Sequence, residues 1–217
     1  MKKVNLKTSD KIKIAGNYYA ADNPKGYLVL IHMMPANKES WNGFALAAQQ
    51  NSYASLAIDL RGHGESDGGP DGFRDFSDED HQKSIMDARA AVDFQIAEGH
   101  SKIFLAGASI GANLALKYLA ESEKISAAVL LSAGFNYRGI ETLPLAAKVR
   151  PSQGVFFVAS RDDARSGVGA DKMAEELYAK SGGMKKIKIF ETGGHGTDLF
   201  NSHPDLMDDI INWLKKF

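Results

Sequence analysis

The segment Gly107-Ala108-Ser109-Ile110-Gly111 constrains the fold more than any other part of this sequence. The apolar run 102–106 before it predicts a strand, and residues 113–119 after it have the apolar spacing of a helix. A strand, Gly-x-Ser-x-Gly and a helix in succession are typical of a nucleophile elbow, a sharp turn that exposes the serine hydroxyl. Both glycines are expected, because a Cβ at either position would collide with the adjoining strand or helix. The sequence therefore predicts an exposed Ser109 hydroxyl at the edge of a sheet.

Two later strand ends carry the side chains that a serine nucleophile needs. A buried strand predicted over 154–159 ends in the residues Ser-Arg-Asp-Asp at 160–163, which places a carboxylate just beyond it. The alternating run 186–190 predicts another strand, and the loop 191–196 after it carries His195 among glycines. A serine becomes a nucleophile at neutral pH when a histidine base reaches it and an acid orients that base. We expect Ser109, an aspartate and His195 to supply these three groups.

Each of these residues also has a purely structural interpretation. Asp162 and Asp163 are typical turn residues that hydrogen-bond to their own backbone, and a histidine among glycines is often a flexible surface residue. The position of all three groups at strand ends favours catalysis, because a sheet holds the loops at its strand ends in register. The other histidines are expected in a turn, at helix ends or on polar faces: His63, His81, His100 and His203.

The chain resembles the α/β-hydrolase superfamily, and within it the small lid-less serine esterases and dienelactone-hydrolase-like proteins. The resemblance covers nearly the whole length and rests on the elbow, the His195 loop and two further segments. Residues 28–32 are similar to the family's strand ending in His-Gly, and residues 59–66 match its Asp-x-Arg-Gly-His-Gly-x-Ser loop. The order Ser, Asp, His along the chain is also that of the family. Since the family uses the 59–66 loop as a structural turn, Asp59, Arg61 and His63 are assigned no catalytic role.

The resemblance also implies an oxyanion hole made of two backbone N–H groups. Carried over residue by residue, these belong to Ile110, just after the nucleophile, and to Met34, two places after His32. The sequence departs from the family at Met33, where a glycine is usual. A side chain there is expected to restrict the loop or to narrow the acyl pocket. Plain core packing is the alternative for Met33 and Met34.

Similar sequences place the triad acid three residues after a glycine, which Ser160 replaces here. This spacing selects Asp163 as the acid and leaves Asp162 as the alternative. Asp198, three residues after His195, is a weaker candidate, and we expect it to cap or charge the approach to the last helix.

The alternation of predicted strands and helices indicates an α/β-hydrolase fold with a mostly parallel sheet of about eight strands and helices on both faces. An antiparallel pair over 2–7 and 11–19 begins the sheet, and a long helix is predicted over 77–98, with Ile85, Ala88, Val92 and Ile96 at helical spacing. Where larger members of the family insert a cap domain, only residues 132–153 are available. We expect no cap domain and a single domain over residues 1–217.

Composition excludes several classes of function. The chain has 26 basic and 27 acidic residues, a net charge of −1 and no basic block, so a nucleic-acid partner is not expected. The absence of cysteine excludes disulfides, thiolate metal sites and a cysteine nucleophile, and dienelactone hydrolases proper use cysteine at the elbow. No two histidines lie at i, i+4 spacing around a carboxylate, so we expect no metal and no other cofactor.

No stretch of the sequence approaches the roughly 18 apolar residues of a membrane span. The first ten residues lack the apolar core of an export signal. We therefore expect a cytoplasmic protein without a membrane partner, unless a signal peptide has been removed. The sequence indicates no particular oligomeric state.

Without a cap the serine should be open to solvent, which favours small or short acyl groups. Met33, Phe135 and Tyr137 are candidates for the substrate pocket, with core packing as the alternative. The resemblance implies hydrolysis of a carboxylic ester of a small molecule through an acyl-enzyme intermediate. The same groups would serve a thioesterase or an amidase or peptidase. A non-catalytic module that binds a small ligand on the hydrolase scaffold is a further alternative, against which the complete set of triad residues argues.

Overall fold

The computed structural model describes residues 1–164 and 167–217, and its strands follow the sequence prediction closely. Most strands are short and almost wholly apolar, as expected of a sheet covered on both faces. In the described part of the chain they are β1 (Lys2–Lys7), β2 (Lys13–Tyr19), β3 (Gly26–Ile31), β4 (Tyr53–Ile58), β5 (Ile103–Ala108), β6 (Ile125–Leu131), β7 (Asn136–Tyr137), β8 (Ile140–Glu141), β9 (Gly154–Ser160) and β10 (Met184–Phe190).

One sheet contains eight of the described strands, in the order β1-β2-β4-β3-β5-β6-β9-β10. The pairs β1·β2 and β2·β4 are antiparallel, and every pair from β4 to β10 is parallel. This confirms the predicted α/β-hydrolase fold with its mostly parallel sheet of about eight strands. Parallel strands end at the same edge, so the loops after β3, β5, β6, β9 and β10 meet there.

Helices cover both faces of the sheet. Their bounds are α1 (Asn42–Gln50), α2 (Asp78–Gln82), α3 (Ile85–Ala97), α4 (Ile110–Glu121), α5 (Leu143–Ala146), α6 (Ala170–Lys180), α7 (Leu199–Ser202) and α8 (Leu206–Leu214). Buried side chains of α3, α4 and α6 share one core with Leu105, whereas those of α1, α7 and α8 share the other with Phe104. Neighbouring residues of β5 thus point to opposite cores, as the period of a strand requires.

The single helix predicted over 77–98 is wrong in detail. The chain forms α2 and α3 instead, separated at Lys83 and Ser84. Both residues keep a right-handed helical backbone, with ψ at −17° and −11°. The break is therefore a loosened helical turn, and the chain does not reverse its direction there. Ile96, predicted at helical spacing with Val92, lies in the last turn of α3 and is 36% exposed.

Residues 132–153 form only a small excursion from the sheet. They contain the hairpin of β7 and β8 and the short helix α5. Asn113 of α4 holds this segment, because its side-chain amide donates to the Ile140 carbonyl at 3.2 Å and its oxygen accepts from the Gly134 N–H at 3.1 Å. The described part of this segment contains no cap domain, as predicted.

The elbow between β5 and α4 has a strained backbone. Ser109 has φ 54° and ψ −119°, a conformation that L-residues adopt only when the surroundings hold it. A Cβ on Gly107 would lie 2.1 Å from the Gly111 carbonyl oxygen, and one on Gly111 would lie 2.3 Å from the Ile31 carbonyl oxygen. Both glycines are therefore required by close backbone contacts, as the sequence predicted.

Replacing Gly111 with alanine is expected to lower the free energy of unfolding by more than about 2 kcal/mol, because backbone atoms must move to admit the new Cβ. Urea denaturation measures the change. Gly43→Ala is the matched control, since its Cβ would meet only the flexible end of Met207 at 3.4 Å and alanine favours a helix. Equal stability of the two variants would contradict this account of the elbow.

Candidate active site

His195 and Asp163 meet at the edge of the sheet although 31 residues separate them in sequence. The Nδ1 atom of His195 lies 2.7 Å from Oδ2 of Asp163, and the two side chains are 5% and 2% exposed. Such a buried contact fixes the plane and the tautomer of the ring, leaving Nε2 as the atom that would accept a proton. The arrangement is that of a base oriented by an acid.

Asp162, the alternative acid, has a different set of contacts. Its carboxylate accepts hydrogen bonds from the N–H groups of Gly193 and Gly194 at 3.1 and 3.2 Å. Hydrogen bonds from Ser160 and from these two N–H groups lower the pKa of Asp162. Asp162 thus holds the backbone of the histidine loop, while its neighbour Asp163 contacts the ring.

Two serines at strand ends complete the support of the histidine loop, and sequence reasoning gave them no such part. Ser132, the residue after β6, accepts a hydrogen bond from the Gly196 N–H at 2.9 Å. Ser160, the last residue of β9, donates to the Gly194 carbonyl at 2.7 Å. Both serines are fully buried. The signal available in the sequence was a polar residue directly at the end of a buried apolar strand.

The histidine loop packs against the elbow. Gly196 approaches so closely that a Cβ there would lie 3.2 Å from the Cβ of Ala108 and 2.6 Å from the sulfur of Met33. The residue after His195 therefore touches the residue before Ser109. Within the described part of the chain, no hydrogen bond joins the Ser109 hydroxyl to His195. Catalytic hydrogen bonds are often long or poorly aligned in enzymes without bound substrate.

The two N–H groups predicted for the oxyanion hole have no hydrogen-bond acceptor within the described part of the chain. Ile110 is the first residue of α4, so its N–H has no acceptor within the helix. Met34 follows β3 in an irregular loop and precedes a cis peptide bond to Pro35. Among the described residues, neither N–H donates a hydrogen bond. Both lie at the strand ends that flank the elbow.

The three predicted pocket residues lie on opposite faces of the sheet. Met33 is 9% exposed and belongs to the core beneath α1 and α8. Phe135 and Tyr137 are partly buried and pack on the other core, where the Tyr137 ring covers Gly134. The structure therefore does not bring the three side chains together in one wall.

The 59–66 loop is tied to its surroundings by buried charges. Asp59 accepts from the backbone N–H and the ammonium of Lys38 at 2.8 and 2.7 Å. Arg61 contacts the carboxylates of Asp87 and Asp10, each at 2.7 Å. The Asp59 contacts anchor Lys38 at the end of the loop after β3, and the Arg61 contacts join the 59–66 loop to α3 and to the turn before β2. Both agree with a structural part for Asp59 and Arg61.

His32 is buried just before the predicted oxyanion residue. Its Nε2 accepts from the Leu60 N–H at 3.0 Å, so the proton must lie on Nδ1, which faces the Met33 carbonyl at 2.8 Å. Burial, together with the nearby His63, lowers the pKa of His32 to about 3. A neutral His32 thus links β3 to the 59–66 loop.

A sequence model of the serine aminopeptidase S33 family of hydrolases matches residues 22–166, more than half of the chain. The protein belongs to this family of α/β hydrolases. The matched range includes Ser109 and Asp163 and ends before His195. A comparison with curated protein sequences gives no match.

Solved structures share the fold of this S33 hydrolase at low sequence identity. An esterase of Pyrococcus furiosus, Pf2001, is 20% identical with a TM-score of 0.80, covering 100% of this chain and 92% of its own. An esterase of Exiguobacterium antarcticum is 16% identical with a TM-score of 0.78, covering 99% and 100%. Est1E of Butyrivibrio proteoclasticus, solved with ferulic acid bound, is 16% identical with a TM-score of 0.76, covering 99% and 97%.

The described residues of this S33 hydrolase contain neither a candidate metal site nor a membrane-spanning helix. No group of three or more His, Cys, Asp or Glu side chains among them could hold a metal ion. None of the helices in the same residues is long and apolar enough to cross a bilayer.

Acid is expected to destabilise the protein through His32. The folded state does not protonate this ring until about pH 3, whereas the unfolded chain does so below its ordinary pKa of 6.5. The unfolded state therefore binds more protons between these values, and the free energy of unfolding falls as pH falls, by up to about 1.4 kcal/mol per pH unit. Urea denaturation from about pH 7 to about pH 5 measures the slope, which His32→Gln should reduce.

Nitrogen NMR of the imidazole rings gives an independent check at about pH 5, where other buried histidines also affect stability. The expected His32 spectrum is that of the neutral ring protonated at Nδ1. An imidazolium spectrum for His32 at this pH would contradict the assignment.

Proposed function

We propose that this S33 hydrolase is a serine esterase that cleaves carboxylic esters of small or short acyl groups. The observation that carries the proposal is the buried contact of 2.7 Å between His195 and Asp163, on a loop packed against the strained elbow of Ser109. Strained backbone is maintained at functional sites and has no use in an ordinary strand-to-helix turn. We also propose that residues 1–217 form a single domain, because one sheet connects β1 to β10.

In the proposed reaction His195 removes the proton of Ser109 through Nε2 as the hydroxyl oxygen attacks the ester carbonyl. Asp163 orients the ring and stabilises the imidazolium that forms. The N–H groups of Ile110 and Met34 bind the developing oxyanion, where preorganised donors contribute most. The alcohol leaves with the proton from His195, and water then hydrolyses the acyl-enzyme by the same route.

The size of the excursion over residues 132–153 supports the preference for short acyl groups. A hairpin and α5 are too small to enclose a long chain, so extended apolar groups would remain in water and contribute little binding. Phe135 and Tyr137 border the acyl side in this proposal, and Met33 lies against the histidine loop.

Hydrolysis of amides or peptides is the second candidate, because the matching family is described as serine aminopeptidase. The same triad would serve, with protonation of the leaving amine by His195 as the more demanding step.

The first test is hydrolysis of p-nitrophenyl esters from acetate to decanoate by the wild type and by Ser109→Ala. Activity is expected to be highest at short chains and to fall by at least about 10³-fold in the variant, because the nucleophile is removed. Ser101→Ala, at an exposed position away from the site, is the control for the effect of a serine substitution. A folded wild type that hydrolyses none of these esters would overturn the esterase proposal, and anilides of amino acids would then test the second candidate.

The two aspartates are expected to differ when each is replaced by asparagine. Asp163→Asn should reduce kcat by about 10³-fold or more, because the amide no longer holds the required tautomer of His195. Asp162→Asn should cost roughly tenfold or less, since the amide oxygen still accepts from one of the two glycine N–H groups and the contact between Asp163 and His195 remains. Steady-state kinetics on the best ester measures both effects. A larger loss in Asp162→Asn would make Asp162 the acid.

A further inference from the structure

An open pocket of about 440 Å³ lies beside the candidate triad and takes no part in the proposed chemistry. It is formed between the loop after β3 and the residues that follow His195. Its walls are about half apolar and half polar, and the polar part includes two carboxylates. The described lining residues are Met33, Ala36, Glu39, Ser40, Gly43, Phe44, Thr197, Asp198, Phe200, Asn201 and Met207.

Asp198 is the charged residue of this pocket whose role neither the fold nor the proposed chemistry explains. It occupies the N-cap position of the short helix α7, yet its side chain makes no capping hydrogen bond there. Within the described chain, no lysine, arginine or histidine forms an ion pair with it, although the residue is partly buried. A cation bound in the pocket would give this carboxylate the charge partner that the described residues do not supply.

The rest of the pocket offers no positive charge to Asp198. Glu39, the other carboxylate, is already paired with Lys38 at 3.0 Å, and Lys38 is shared with Asp59 and Glu65. The described lining residues include no basic side chain. Phe44 and Phe200 supply aromatic rings, stacked at 5.4 Å, and Met33 and Met207 supply flexible apolar surface. A pocket lined by a carboxylate together with aromatic and thioether side chains is suited to an organic ammonium ion.

The position of the pocket relates it to the leaving group. His195 gives its proton to the departing oxygen, so the leaving group lies on the histidine side of the reacting carbonyl. Four lining residues follow His195 directly in the chain, and Asp198 is tied to it through its backbone N–H, which donates to the His195 carbonyl at 3.1 Å. Met33 contacts both the pocket and the elbow side, through Gly196.

We propose that this pocket binds the alcohol portion of the substrate and that Asp198 selects alcohols that carry an ammonium group on a short apolar arm. The inference rests on the proposed esterase function and adds the class of leaving group. In the reaction the bond between the carbonyl carbon and the alcohol oxygen breaks, that oxygen takes the proton from His195, and the ammonium alcohol leaves. Water supplies the oxygen and the proton that complete the carboxylic acid and the serine.

The kinetic experiment compares two acetates of nearly equal shape, acetylcholine and its uncharged analogue 3,3-dimethylbutyl acetate. The measured quantity is the ratio of their kcat/KM values, in which any general effect of a substitution cancels. The wild type should have the higher kcat/KM for acetylcholine. Asp198→Asn should reduce the ratio roughly tenfold, because the substitution removes the negative charge of the side chain and keeps its shape. Asp205→Asn, an exposed carboxylate outside the pocket, should leave the ratio unchanged.

Turnover of p-nitrophenyl acetate in the same preparations separates the two proposals. If that ester is hydrolysed and the ratio is the same in Asp198→Asn as in the wild type, the pocket proposal fails and the esterase proposal stands. If the ratio falls equally in Asp205→Asn, a general surface charge explains the preference and the pocket proposal also fails.

Choline binding tests the pocket without catalysis. Titration calorimetry of Ser109→Ala should show choline binding that weakens roughly tenfold when Asp198→Asn is added and is unchanged by Asp205→Asn. Binding of choline with the expected dependence on Asp198 would support the site even if no ester is hydrolysed. No binding of choline, or binding that ignores Asp198, would overturn it.

Discussion

The close contact between the start of α4 and the end of β3 is the constraint on which the candidate site depends. Gly111 lies so near the Ile31 carbonyl that no side chain fits between them, and this fixes the direction in which the helix leaves the elbow. The positive φ of Ser109 is the local consequence, and such strain costs about 1–3 kcal/mol. Burial of ten of the twelve residues of α4 offsets that cost. Two further hydrogen bonds, from the Ala112 and Asn113 N–H groups to the Ser109 carbonyl, hold the turn.

The histidine loop is likewise held in one conformation by its surroundings, here through hydrogen bonds to polar side chains. Three side chains from two strand ends, Ser132, Ser160 and Asp162, satisfy its backbone, and a fourth, Asp163, holds the ring. A glycine-rich segment is conformationally permissive, so external hydrogen bonds must select its conformation. Ser160, which stands where similar sequences have a glycine, therefore helps to hold this loop, because its hydroxyl donates to the Gly194 carbonyl.

Local patterns predicted most of the fold. The strand predicted over 154–159 agrees with β9 to within one residue, β10 begins two residues before the strand predicted over 186–190, and the elbow glycines follow from sterics alone. The prediction over 77–98 was wrong because the sequence has no Gly or Pro at Lys83 and Ser84. The interruption instead accompanies long-range contacts of α3, in which the buried Asp87 accepts from the backbone and guanidinium of Arg61. Such contacts between distant segments leave no local period in the sequence.

The sequence by itself determined the order of strands and helices, the elbow, and the identity of the nucleophile and base candidates, because each is encoded in the period or spacing of adjacent residues. The spacing favoured Asp163 over Asp162 as the acid, but only the tertiary structure showed which of the two adjacent aspartates contacts His195. Asp162 and Asp163 differ by one residue on the same turn, and which of them faces His195 depends on a loop that begins some thirty residues later. It also decided that Asp198 lines a pocket rather than caps a helix. Side-chain direction at a loop is set by the groups that pack around it, and those come from strands far apart in sequence.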